Sequence, residues 1–98
     1  MIYEMRTYSL VPGGAREYLA LYNELGRAVQ TDILGNLVSL MTPESGDQNQ
    51  LIYIWAYENF DDRKERRAKL LENDQFTAFR KASRHLLIRQ ENRFLNPA

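Results

Sequence analysis

The chain has 98 residues, with 13 basic and 13 acidic side chains, no net charge and no cysteine. Balanced charge argues against a nucleic-acid binder, whose affinity comes from many Lys and Arg contacts to phosphate, and against a polybasic membrane anchor. The absence of cysteine excludes disulfides, thiolate nucleophiles, Cys-ligated zinc and iron–sulfur clusters. No apolar run approaches the length of a membrane span, and "MIYEMRTYSL" carries Glu4 where a signal peptide would be basic and then apolar. A single domain over 1–98, in a soluble cytoplasmic protein, is expected.

Residues 2–10 alternate and are rich in β-formers, which predicts a strand ended by "VPGG" at 11–14. From Ala15 the period changes. Tyr18, Tyr22, Leu25 and Val29 recur at spacings of four, three and four, with Leu21 and Ile33 extending the stripe of an amphipathic helix. Gly35 is its expected stop, in the left-handed region. "NLVSLMT" at 36–42 reads as a second strand, "PESGDQ" at 43–48 as a loop and "NQLIYIWAYEN" at 49–59 as a third strand, so the pair makes a hairpin. "NFDDRKERRAKLL" begins a helix that Asp61 or Asp62 is expected to cap. "END" at 72–74 interrupts it, a short helix carries Phe76, Phe79 and Ser83 on one face, and residues 85–97 read as a last strand closed by Pro97. The order predicts an α+β, ferredoxin-like βαββαβ domain: a four-stranded antiparallel sheet with helices on one face.

The third strand is apolar on both faces. Ile52, Ile54 and Ala56 are compact and are expected under the helices, joined by Tyr3, Met5, Thr7, Val38 and Leu40. Tyr53, Trp55 and Tyr57 then share the opposite face with Glu4, Arg6, Tyr8, Leu37, Ser39 and Met41. Left in water, that face is an unusually large apolar patch, so a second copy of the chain is expected to cover it by sheet-to-sheet packing in a homodimer.

"YEMRTYSLVPG" near the start, "LG" before the second strand, "NQLIYIWAYENFDDRKERRAKL" and the terminal "NRFLNP" together resemble the NIPSNAP family over essentially the whole chain. The resemblance implies a dimeric α/β barrel. Its superfamily also holds small monooxygenases, ring-opening isomerases and haem-dependent chlorite-degrading enzymes, with ligands between sheet and helices or in the barrel interior. The family's own activity is not established, so the match strengthens the fold more than the function.

Candidate sites follow from the polar residues. Glu4, Arg6 and Tyr8 should lie beside Tyr53, Trp55 and Tyr57, where a carboxylate, a guanidinium and phenols can orient an acidic or phenolic small molecule. In this reading Arg6, Tyr53, Trp55 and Tyr57 bind the ligand, and Glu4 or Tyr8 takes part in catalysis, Glu4 as a base if burial raises its pKa. The plainer alternative is a Glu–Arg pair that holds the dimer in register among filler aromatics, and it weighs more. His85, the sole histidine, is a candidate base or axial haem ligand, against a commoner cap or surface role. No metal site and no cofactor is expected. "RKERRAK" at 63–69 reads chiefly as a solvated helix face, with Arg66 and Arg67 near a cleft mouth as the exception. Two functional expectations result. One is a small-molecule-binding dimeric barrel, of the cofactor-independent oxygenase or isomerase kind. The other is a non-catalytic dimeric module that meets a protein partner through the basic segment.

Overall fold

A computed structural model describes all 98 residues. The elements run β1 (Ile2–Leu10), α1 (Gly14–Leu21), a π-helical turn (Tyr22–Gly26), α2 (Arg27–Leu34), β2 (Asn36–Met41), β3 (Gln50–Tyr57), α3 (Phe60–Glu72), α4 (Asp74–Ser83), a 3₁₀ turn (Arg84–Leu86) and β4 (Leu87–Leu95). The strands form one antiparallel sheet in the order β2-β3-β1-β4, the ferredoxin-like arrangement expected from the element order. The last strand starts at Leu87 rather than 85, because the 3₁₀ turn occupies the junction.

The chain's own side chains place the helix boundaries. Asn59, not Asp61 or Asp62, caps α3: its Oδ1 accepts from the Asp62 backbone N–H at 2.8 Å. Asp62 instead accepts from the Glu58 N–H at 3.0 Å, fixing the chain as it enters the helix. Asn73 does for α4 what Asn59 does for α3, accepting from Phe76 N–H at 3.0 Å. Gly35 ends α2 with φ of 91°, a backbone that side chains rarely adopt, and the Arg66 guanidinium lies where its Cβ would stand.

Strands β1 and β3 are neighbours and the expected residues share a face, but the faces are reversed. Glu4 pairs with Trp55, Arg6 with Tyr53 and Tyr8 with Leu51, so these residues do share one side. That side lies under the helices. Leu51, Tyr53, Trp55 and Tyr57 are fully buried within the chain, whereas Ile52 and Ile54 are half-exposed on the open face. The reason is volume. Sheet and helix layers must be filled to crystal-like density, and α3 brings only Leu70 as a buried side chain. Long aromatic side chains from the strands fill what the helices leave.

A bulge between Leu37 and Ser39 shifts the alternation of β2. Leu37 and Leu40 therefore both pack on the core, while Ser39 and Met41 pair with Ile54 and Ile52. The open face carries Tyr3, Met5, Thr7, Ser39, Met41, Ile52 and Ile54.

The core is an aromatic lattice. Tyr53 meets Tyr8 at 5.1 Å, Tyr22 at 5.3 Å edge-on and Trp55 at 6.2 Å stacked. Phe79 meets Tyr18 and Tyr22 at 5.6 Å each. Such pairs contribute about 0.5–1.5 kcal/mol each beyond area burial.

The π turn was not legible from the periodic stripe. It places Gly26 against the Phe79 ring, where an added Cβ would stand 2.9 Å from ring carbons. Gly26→Ala is therefore expected to destabilise the fold by about 1–2 kcal/mol, although alanine is the better helix former by about 1 kcal/mol. Urea denaturation measures this, and a more stable variant would contradict the packing described.

Candidate functional site

At the β1–β4 end of the helix-covered face, Glu4 is completely buried. It accepts four hydrogen bonds: from Arg6 at 3.0 Å, from Arg63 at 3.1 and 2.8 Å, and from Asn92 at 2.8 Å. The Arg63 contact is a two-pronged guanidinium–carboxylate pair. Burial by itself would raise the Glu4 pKa, but the Arg63 and Asn92 hydrogen bonds and the two guanidinium charges outweigh it and hold the carboxyl at about 2. The shift runs opposite to the one a general base near neutral pH requires. Glu4 thus serves as the anchor of an arginine cluster.

Arg63 and Arg67 are four apart on α3, one turn along the same helix face, and both turn toward the sheet. The basic segment is therefore only partly a solvated face. Lys64, Glu65 and Lys69 are exposed, while Arg63, Arg66 and Arg67 are half-buried. Arg66 is held by Asp62 at 2.9 Å and donates to the Ile33 carbonyl at 3.1 Å.

Beside this cluster a cavity of about 70 Å³ opens between the sheet and the helices. β1 contributes Arg6 and Tyr8 and β3 contributes Tyr53. Tyr18, Tyr22 and Gln30 come from the first helical stretch, and Arg67, Phe76 and Phe79 from α3 and α4. Leu71, Arg80 and Gln90 also line it and are exposed, so they mark its mouth.

The polar groups of the wall divide into satisfied and unsatisfied. Tyr22 Oη donates to Gln30 Oε1 at 2.5 Å, and Arg6 Nε donates to Tyr8 Oη at 3.3 Å. Tyr53 Oη and Arg67 Nη1 in the wall, and Tyr57 Oη behind Arg67 and outside the wall, are buried with no hydrogen-bond partner in the protein. A buried polar atom without a partner costs about 1–3 kcal/mol, and here two of them belong to one cavity lining.

Burial pushes the Tyr53 phenol well above its ordinary pKa, with the neighbouring tyrosines adding to the effect, so the hydroxyl keeps its proton. For Tyr18 and Tyr22 the direction is also upward, with burial as the main cause. Burial lowers the pKa of Arg67, and the nearby Arg6 charge lowers it further.

Of the residues singled out in the sequence, Arg6, Tyr8 and Tyr53 meet at the cavity, and Glu4 stands behind Arg6. Trp55 and Tyr57 are buried but outside the lining. Burial and the nearby Glu4 charge raise the Tyr57 pKa, while the Arg67 charge opposes them. His85 sits on the 3₁₀ turn, with its side chain 64% exposed and 3.9 Å from Glu17. The cavity is far too small for haem, and its lining contains no imidazole. No group of three or more His, Asp or Glu is placed to hold a metal ion. Of the two arginines expected near a cleft mouth, Arg67 reaches the lining and Arg66 does not, whereas Tyr18, Tyr22 and Gln30 were not among the candidates. The four-residue spacing of Arg63 and Arg67 was the available signal for Arg67.

An antiparallel β2-β3-β1-β4 sheet with helices on one face defines a ferredoxin-like α+β protein. A solved antibiotic biosynthesis monooxygenase has the same fold at TM-score 0.68 and 12% identity, with 100% of this chain and 99% of that one covered. The chain matches NIPSNAP over residues 3–98 and belongs to that family. A crystal structure of a NIPSNAP family protein from Agrobacterium tumefaciens is 41% identical, covering 99% of this chain and 92% of that one at TM-score 0.95. Another protein of that organism is 38% identical over 100% of this chain and 94% of its own, at TM-score 0.97. No curated protein matches the sequence.

Proposed function

We propose that this NIPSNAP protein binds a small molecule in the cavity between sheet and helices, and that it works as a homodimer joined through the open face of the sheet. The buried, unpartnered Tyr53 hydroxyl at the cavity wall carries the first part of the reading. Ligand sites are apolar hollows with a few convergent polar groups, and this cavity is aromatic with Arg6, Arg67 and Tyr53 converging. The second part rests on the apolar character of the open face. Met5, Ile52 and Ile54 lie at its centre, with Met41 51% exposed beside them.

The reaction class that fits is a cofactor-independent oxygenation or isomerisation. In it Arg6 and Arg67 would stabilise developing negative charge on the substrate, and Tyr8 or Tyr53 would supply or hold a proton. Glu4 would set the position of Arg6. A partner-binding role for the basic segment has less support, because Arg63 and Arg66 are already held by Glu4, Asp62 and the Ile33 carbonyl.

Tyrosine-ring NMR during a fragment screen tests the binding reading with a built-in control. Binding should move the Tyr8, Tyr18, Tyr22 and Tyr53 resonances and leave Tyr3, on the opposite sheet face, unchanged. Fragments that move Tyr3 alone would place any binding outside the cavity and contradict it.

A further inference from the structure

The charges around the cavity do not balance. Arg6, Arg67 and Arg80 line it, and no acidic residue does. The one carboxylate nearby, Glu4, is already shared between Arg6 and Arg63. One buried acid thus faces Arg6, Arg63 and Arg67, and Arg67 Nη1 is left with no partner. A buried N–H that donates to nothing is costly, and the nearby Arg6 charge adds repulsion to the half-buried Arg67. An anion between them removes both penalties.

The donor set narrows the anion further. Arg67 Nη1 can only donate, and Tyr53 Oη, which can donate or accept, stands unpartnered in the same lining, so with the arginine charges the pair suits an accepting, anionic head rather than a cation. Guanidinium N–H groups match the paired oxygens of a planar carboxylate. About 70 Å³ is roughly half the volume of a 150 Å³ cavity that encloses benzene, so it admits a head group and little more. The remainder of a larger molecule must leave by the mouth, where Leu71, 53% exposed, offers an apolar wall near Phe76.

We infer that the cavity takes a small monocarboxylate with an apolar tail, its head held by Arg67 and Tyr53 beside Arg6 and its tail leaving past Phe76 and Leu71. This rests on the small-molecule reading above and names the ligand class for that site.

Calorimetric titration of the whole protein with hexanoate, hexanamide and inorganic phosphate separates the two claims. Hexanoate should bind at least about tenfold more tightly than hexanamide, because a neutral amide leaves the guanidinium charge unopposed. Arg67→Gln should weaken hexanoate about tenfold or more. Tyr53→Phe, which keeps the ring and removes only the hydroxyl, should weaken it several-fold and covers the case in which the arginine variant does not fold. Equal binding of hexanoate and hexanamide, with both lost in a variant that blocks the cavity, would overturn the carboxylate assignment and leave the small-molecule site standing. Phosphate binding in preference to hexanoate would also overturn it, as would hexanoate affinity unchanged in both variants. Binding of none of the three would count against both claims.

Discussion

Glu4→Gln is expected to lose about 3–5 kcal/mol of folding stability at neutral pH, the usual cost of removing one partner from a buried ion pair. The substitution keeps the shape of the side chain and removes its charge. Arg6 and Arg63 would then face each other across a neutral amide, with Arg67 close behind. The wild-type protein should show the same interaction as a pH dependence. The Glu4 carboxyl titrates at about 2 in the folded chain, against an ordinary value of 4.5, so the folded state binds that proton more weakly than the unfolded one. The stability due to this group is complete above about pH 4.5 and disappears as the pH falls through about 2, a difference on the order of 3 kcal/mol. Urea denaturation across that window should show the fall in the wild type and a much flatter profile in Glu4→Gln. A variant within 1 kcal/mol of wild type, or one with the same acid slope, would contradict the role given to Glu4.

The second large effect concerns the open face of the sheet. Ile54→Asp, at its centre, should raise the dissociation constant of the proposed homodimer by about 100-fold or more. In a two-fold interface each substitution appears twice, and the new carboxylates would be desolvated near one another. Every 1.4 kcal/mol is tenfold in affinity, so even a partial desolvation penalty reaches that factor. The fold itself should survive, because Ile54 points away from the helices and is half-exposed in the isolated chain. Sedimentation velocity at micromolar concentration should find a wild-type dimer and a folded monomeric variant. A wild-type monomer, or a variant that remains dimeric, would contradict pairing through this face.

The element order and the grouping of Glu4, Arg6 and Tyr8 on one face with Tyr53, Trp55 and Tyr57 were legible in the sequence, because alternation, turn residues and the strand order that follows from them specify both. Which face of β3 lies under the helices was not. Both faces are apolar, so hydrophobicity could not choose between Tyr53–Trp55–Tyr57 and Ile52–Ile54–Ala56. The choice depends on how much volume the helices supply, and α3, with Leu70 as its one buried residue, supplies little. The bulge after Leu37 was equally hidden, since one extra residue leaves no mark on composition. The basic run hid an inward-facing pair for a different reason. Charge on a helix usually means solvent, and Arg63 and Arg67 turn inward only because Glu4 and the cavity lie opposite them. The candidate site was therefore half visible. Its sheet-borne residues, Arg6, Tyr8 and Tyr53, could be grouped by parity, whereas its helix-borne residues depended on the packing angle of elements distant in sequence.

The most direct test of the ligand site is a crystal structure of the protein grown in saturating hexanoate. The carboxylate should lie within hydrogen-bond distance of Arg67 Nη1 and Tyr53 Oη, with the chain running out past Leu71. Hexanoate bound elsewhere, or a cavity holding only water at saturation, would contradict the assignment of this cavity as the site.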